Sequence, residues 1–215
     1  MYTCLEPFIC THNISGMKKS EKSPIVFFDF DGTLTTKDTF GVFAVKAVGK
    51  LHYFRALLLS SPFIIGWKLG IVSNSAAKQH LFSRLYKGMS WRRFEALGQN
   101  FADTIDRILR PQGIVLLEQH LSEGAEVWII SASLGTWIRP WAKRNGLTGV
   151  IATEAEILPN ETLSGRFSTP NCHGKEKVNR IRDRFPDLCQ RLSFAYGDSN
   201  GDLPMIHVCN KGEII

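Results

Sequence analysis

The stretch Phe27–Phe40, FFDFDGTLTTKDTF, constrains the chain more than any other. It continues an apolar run from Pro24, rich in Val, Ile and Phe, that reads as a buried strand. The run ends in two aspartates two positions apart, Asp29 and Asp31, followed at once by Gly32 and Thr33. Ionised carboxylates so close repel, and at a buried strand end they are costly unless something compensates. A solvated turn would account for the pair, and so would a metal site.

The rest of the chain supplies partners for that strand. Glu126–Ser131 (EVWIIS) is a second apolar strand ending in a serine, Gly149–Thr153 is a short strand, and Leu192–Tyr196 (LSFAY) runs into GDSNGD. Between them lie helical patterns over Ile114–Ser122, Leu134–Asn145 and Lys175–Arg184, and a hairpin over Glu156–Ser168 around Pro159-Asn160. Alternation of this kind implies an α/β fold, a Rossmann-like parallel sheet flanked by helices. From Asp38 to Gln112 the pattern is helical, with Trp91, Phe94, Phe101, Ile105 and Ile108 on one apolar face. The expected organisation is an N-terminal extension over 1–22, a catalytic core from 23–37 and 113–215, and an inserted helical cap over 38–112. Met17 opens MKKSEKSP just before the first strand and is an alternative start.

Charge is concentrated in the insertion. Residues 38–112 hold 11 Lys/Arg against 4 Asp/Glu, whereas the rest of the chain is close to neutral, within a formal net charge of +6. That favours an anionic ligand or an anionic membrane surface over nucleic acid, with a solvated helical surface as the other account of the charge, and no nucleic-acid partner is expected. The uncharged run Ala56–Trp67 contains Pro62 and has 12 residues, too few for an ordinary membrane span. It reads first as a buried helical hairpin, and second as a peripheral lipid contact. Five cysteines without a CxxC pair read as reduced thiols. The expected location is cytoplasmic, with membrane association as the variant.

In open parallel sheets ligands sit beyond the carboxyl ends of strands. Three carboxylates brought there, Asp29, Asp31 and Asp198, suit a hard cation such as Mg²⁺. A hydroxyl (Ser131), backbone N–H groups around Asp31–Thr33 and an ammonium (Lys177) would neutralise a phosphoryl group beside it. One carboxylate is then free to attack phosphorus, and its neighbour can hand a proton to the leaving oxygen.

DFDGTLT, WIISAS, the CHGKEKV region and YGDSNGDLPM, taken in order, resemble the four motifs of the haloacid dehalogenase-like superfamily. The pattern is closest to its phosphatase branch with a helical cap, which includes phosphoserine phosphatases. The CxGxxKV element and apolar cap are also similar to bacterial phosphatidylglycerophosphatase C. The resemblance implies Asp29 as nucleophile, Asp31 as general acid/base with its carbonyl on Mg²⁺, and Asp198 as a further metal ligand. It implies that Asp202 supports the metal site, that Ser131 and the Ala132 N–H bind phosphoryl oxygens, and that Thr33 fixes the first loop. It places Asp38 toward the cap cleft and favours Lys177 as the motif lysine, with Lys175 as the alternative. Asp31, which dehalogenase members lack, argues for phosphoryl rather than halide chemistry.

The expected activity is therefore Mg²⁺-dependent hydrolysis of a phosphate monoester through an aspartyl-phosphate, on a small-molecule or lipid phosphate ester. A phosphoserine phosphatase, a phosphotransferase and a non-catalytic phosphate-binding module are the alternatives. His173 and His207 read as structural, and Trp137 with Trp141 as a packing stripe. The chain stops at Ile215, soon after Met205, which leaves the C-terminal sheet edge open.

Overall fold

A computed structural model describes residues 22–215; the expected extension falls, except for Lys22, outside the described residues. The elements are, in order, β1 (Ile25–Phe28), α1 (Thr39–Val48), α2 (Lys50–Leu59), α3 (Ser61–Lys68), α4 (Asn74–Tyr86), α5 (Trp91–Gln99), α6 (Ala102–Asp106) and α7 (Pro111–Ser122). They continue as β2 (Glu126–Leu134), α8 (Gly135–Arg144), β3 (Gly149–Thr153), β4 (Ala155–Ile157), β5 (Leu163–Phe167), α9 (Lys175–Arg184), β6 (Ser193–Gly197), α10 (Leu203–His207) and β7 (Lys211–Ile214).

Five strands form one parallel sheet in the order β3-β2-β1-β6-β7. β1 is central, and its four residues are fully buried. Successive side chains of a strand point to opposite faces. Val26 and Phe28 accordingly enter one core with the inserted helices, α7 and α8, while Ile25 and Phe27 enter another with α9 and α10. Burial on both faces explains why β1 is continuously apolar rather than alternating. The C-terminal edge left open by the sequence is closed by β7, which pairs in parallel with β6.

The helices α1–α6 are inserted between β1 and α7. Phe43 of α1 sits at their centre, 1% exposed. Its ring stacks on Trp137 of α8 at 4.4 Å and meets Phe94 at 5.5 Å and Phe101 at 5.2 Å edge-on. Trp137 and Trp141 are both buried, so their four-residue spacing is a packing stripe. Pro140 lies inside α8 and has no N–H, which frees the Thr136 carbonyl. Gly98 of α5 packs so close to that carbonyl that a Cβ would lie 2.6 Å from it. The hairpin β4–β5 also joins the insertion, through Gly88 N–H to the Leu163 carbonyl and Leu163 N–H to the Met89 carbonyl.

Three expectations are corrected. β2 does not stop at Ser131 but runs to Leu134, with an irregular register past Ser131. Small side chains at Ala132 and Ser133 let the strand continue beside the site. The helix expected over Ile114–Ser122 begins earlier: Pro111 opens α7 in the first turn, where its missing N–H costs nothing. The returning helix thus starts two residues before the expected 113 boundary. The run Ala56–Trp67 is not a buried hairpin: α2 buries only Ala56, and α3 only Gly66. Among the described residues Cys172 and Cys209 are free thiols.

The Phe43 cluster predicts that Phe43→Ala costs roughly 3–5 kcal/mol of stability, from lost ring contacts and the cavity left behind. Urea unfolding monitored by circular dichroism checks this. A loss below about 1 kcal/mol would show that the insertion and α8 are not packed through this residue.

Candidate active site

The sheet order explains how distant residues meet. Phe28 at the end of β1 pairs with Ile129 of β2 on one side and Tyr196 of β6 on the other. Adjacent strands lie about 4.8 Å apart, so the residues just beyond the three pairings share one crevice. The Asp29 N–H continues the ladder to the Tyr196 carbonyl at 2.9 Å. The chain then turns through Gly32 at φ 91°, a conformation that favours glycine. Space demands glycine as well: a Cβ there would lie 2.1 Å from Oδ2 of Asp198. The DG step of the first motif is thus what lets the β6 carboxylate approach the β1 loop.

Lys177 is the hub of the site. It lies in the first turn of α9, is 1% exposed, and donates to Oδ1 of Asp29 at 2.5 Å and to Oδ1 of Asp202 at 2.6 Å. Lys175, the alternative, is exposed. Burial alone would lower the Lys177 pKa, but Asp29 and Asp202 together lift it above the usual lysine range. Asp29 shows the opposite balance: burial pushes its carboxyl up to about 7 against the pull of Lys177. Burial also acts upward on Asp202, yet Lys177 and the Ser199 bonds outweigh it and hold that carboxyl below the ordinary range. Thr33 donates to Oδ2 of Asp29 at 3.3 Å.

Asp31 is held by a separate set of donors. Its Oδ1 accepts from the Thr39 N–H at 2.7 Å and the Thr39 hydroxyl at 2.6 Å, and its Oδ2 from the Ser133 hydroxyl at 2.5 Å. The Trp137 indole N–H donates to Oγ1 of Thr39 at 3.1 Å, which fixes that hydroxyl. Burial raises the Asp31 pKa, the charge of Asp38 adds to the rise, and the Ser133 and Thr39 bonds oppose it. Asp38 caps α1 by accepting from the Phe40 N–H at 2.8 Å and also lines the cavity.

Ser131 is buried, and its Oγ accepts from the Ser133 N–H at 3.0 Å, which leaves its own proton available to donate. The Ala132 carbonyl is fixed by Lys78 at 2.9 Å and by the Thr153 hydroxyl at 2.8 Å. Lys78 reaches across from α4, and Asn74 one turn earlier bonds Asn171 at 3.1 Å, so α4 is tied twice to the sheet side of the cleft. Burial lowers the Lys78 pKa while Asp38, Asp31 and Asp29 oppose that shift.

Asp38, Lys78 and Ala132 join the carboxylates and Lys177 in lining one cavity of about 760 Å³, whereas Ser131 and Thr33 are buried and not among its lining residues. Its floor carries Asp29, Asp31, Lys177, Asp198 and Asp202, and its wall is Phe40, Ile64, Trp67, Ala77 and Leu81 with Lys78 among them. His173, expected to be structural, also lines it.

Sequence reasoning missed three residues. Ser133 sits two positions after Ser131, so both face the same side of a strand once β2 continues, and strand period was the signal available. Thr39 follows the helix-capping Asp38. Lys78 shares a helical face with Asn74, Ala77 and Leu81, but no local pattern separates it from a surface lysine.

Asp29, Asp198 and Asp202 each offer an oxygen within 4.8 Å of the others, a donor set suited to a hard divalent cation. Asp198 forms no salt bridge among the described residues, and burial with the Asp202 charge raises its pKa. Both oxygens of Asp202 are already engaged by Lys177 and Ser199, which suits a supporting place better than a direct one. Both oxygens of Asp31 are engaged as well, so its side chain points to proton transfer rather than ligation.

A parallel sheet whose central strand ends on carboxylates gathered about one buried ammonium defines a Rossmann-like α/β protein with a charged site at its strand ends. The chain belongs to the haloacid dehalogenase-like hydrolases, whose family model matches residues 26–207. It is 32% identical over 193 residues to Protein CicA of Caulobacter vibrioides, an alignment covering 87% of this chain and 83% of that protein. Among solved structures, a protein of unknown function from Bordetella pertussis Tohama I is similar with a TM-score of 0.68 and 20% identity, covering 88% of both chains. A probable phosphoserine phosphatase from Vibrio cholerae is similar with a TM-score of 0.64 and 14% identity, covering 89% of this chain and 55% of that one. At such identities the structural likenesses speak for the fold alone.

The titration of the site predicts how it takes up a cation. Below about pH 6 Asp29 is protonated and attracts little. Because its folded pKa lies above its unfolded one, the metal-free fold loses stability as pH rises through about 7. A divalent cation relieves that loss by binding the ionised form. Thermal unfolding with and without cation should therefore show a larger stabilisation at about pH 8 than at about pH 5.5. Equal stabilisation at both would place the cation elsewhere.

Proposed function

We propose that the chain is a Mg²⁺-dependent phosphatase that hydrolyses a phosphate monoester through an aspartyl-phosphate on Asp29. The observation that carries the reading is the division of labour between Asp29, held by Lys177, and Asp31, held by Thr39 and Ser133. Two carboxylates with different surroundings can take different roles. Asp29 attacks phosphorus, the ester P–O bond breaks, and the departing oxygen takes the proton of the Asp31 carboxyl. Burial and Asp38 favour that protonated form of Asp31 at the outset. Water then gives a proton to Asp31 and attacks the phosphorus of the acyl phosphate, which releases phosphate and restores Asp29.

Lys177, the Ser131 hydroxyl and the Ala132 N–H would neutralise the phosphoryl oxygens, with Thr33 steadying the first loop. Asp29, Asp198 and the Asp31 carbonyl, with Asp202 in support, would hold Mg²⁺, whose positive charge would let an anionic nucleophile approach an anionic substrate. Each member of this set contributes electrostatically, which suits a reaction whose uncatalysed rate is among the slowest known.

The substrate reading rests on the cavity wall. Phe40, Ile64, Trp67, Ala77 and Leu81 offer an apolar surface directly above the charged floor. A lipid phosphate or another organic phosphate with an apolar group matches that division. Phosphoserine is the second reading, supported by the likeness to phosphoserine phosphatase folds. It would need Asp38 to hold the ammonium while capping α1, and Lys78 to hold the carboxylate. A phosphotransferase would share the first half-reaction and differ only in its acceptor.

Purified protein should hydrolyse p-nitrophenyl phosphate with Mg²⁺ and stop in EDTA. Asp29→Asn should fall to background while remaining folded. Lys177→Ala should lose roughly 10²–10³-fold, and Lys175→Ala should change little. Retained turnover in Asp29→Asn would remove Asp29 as nucleophile. In a substrate panel, phosphatidylglycerophosphate and other apolar esters should outrank phosphoserine; the reverse ranking would overturn the substrate reading.

A further inference from the structure

We infer that the surface formed by α2, α3 and the turn after them, Leu51 to Ile71, docks on an anionic lipid bilayer. The inference rests on reading the adjoining cavity as one for an amphiphilic phosphate ester, whose source it names as the membrane itself.

Exposure is the first argument. Nine of the fourteen exposed large apolar side chains among the described residues fall in this one segment. Leu51, Leu58, Leu69 and Ile71 are 78%, 73%, 69% and 79% exposed. Single exposed leucines are ordinary, but a run of them on adjoining helices marks a contact surface. Along α2, Leu51, Phe54 and Leu58 recur at three and four residues and so share one outward face, opposite the buried Ala56.

Charge is the second argument and selects the occupant. Residues 39–94 contain nine Lys/Arg and no Asp/Glu. Lys50, Arg55 and Lys68 stand exposed within or beside the apolar face, and none forms a salt bridge among the described residues. Apolar side chains ringed by unpaired cations complement a bilayer with anionic headgroups. A second copy of the same face would instead bring like charges together. The helices, 10 and 8 residues long, are too short to cross, and no helix among the described residues is long and apolar enough to do so. They would lie in the plane of the interface.

Continuity with the site is the third argument. Ile64 and Trp67 of α3 line the cavity above the carboxylates, and Trp67 is also 42% exposed. One short helix therefore forms both the inner wall and the outer face. An ester whose phosphate reaches Asp29 would extend its apolar part past Leu81, Ile64 and Trp67 onto the docking surface without crossing water.

Vesicle flotation of the full chain tests this without substrate. The protein should float with phosphatidylglycerol–phosphatidylcholine vesicles, less so in high salt, and stay behind with pure phosphatidylcholine. Leu58→Glu combined with Ile65→Glu should cut partitioning roughly tenfold or more, and Lys50→Glu with Arg55→Glu should do so by removing charge alone. Neither pair touches the cavity, so turnover of p-nitrophenyl phosphate should be retained, which also verifies folding. Absence from anionic vesicles, equal recovery on neutral ones, or full binding by both variants would overturn the inference. A dimer in light scattering that dissociates in the Leu58→Glu/Ile65→Glu variant, without vesicle binding, would assign the face to a second copy instead. Vesicle binding with no phosphatase activity would sink the catalytic reading while leaving the docking surface standing.

Discussion

The structure depends on one buried ammonium. Lys177 holds two carboxylates that, without it, would be unpaired charges in the interior, and breaking such a set costs several kcal/mol. Its place is set by backbone rather than by side-chain chance. Gly174 at φ 59° turns the chain into α9, and the preceding segment is pinned where the Cys172 N–H meets the Thr153 hydroxyl at 3.0 Å. That same hydroxyl donates to Ala132 at the end of β2. A single threonine on β3 thereby links the lysine-bearing segment to the stretch of β2 expected to receive phosphoryl oxygens.

The second constraint is that the two aspartates of the first motif must not share an environment. Two residues apart, they could have formed one repulsive pair. Instead Asp29 is held by Lys177 of α9, and Asp31 by Thr39 of α1 and Ser133 of β2. The inserted helices contribute directly to this separation, since Thr39 opens α1 and its hydroxyl is fixed by Trp137 of α8. The Phe43–Trp137 stack that holds the insertion to the sheet therefore also orients the Asp31 carboxylate. Packing and proton chemistry run through the same indole.

Much of this was legible in the sequence, for a definite reason. Strand ends that carry function break a strong local pattern: an apolar run stops at charged residues, as at Asp29 and Asp198. Helix α9 was readable to its limits because Gly174 starts it and its apolar positions repeat. What was not legible depends on partners remote in the chain. The continuation of β2 to Leu134 is dictated by pairing with β3, so Ser133 was hidden behind Ser131. β7 is short, exposed and glycine-containing, and exists through its ladder to β6 rather than through its own composition. Ala56–Trp67 looked like core because apolar runs usually are. Only three-dimensional packing tells a buried face from an unpartnered one, and here it leaves most of the run outside.

Acidic floor, basic and apolar insertion, and the helix that forms both cavity wall and outer surface make one arrangement: carboxylates and an ammonium meet at the strand ends, and an apolar wall borders them. Its central claim is that Asp29, steadied by Lys177, receives the phosphoryl group. The most direct measurement is acid quench of the protein during turnover of a phosphate ester, followed by peptide mass spectrometry. The account predicts a phosphoryl group on the Asp29 carboxylate. A phosphoryl group carried by Ser131 or His173 instead would contradict it.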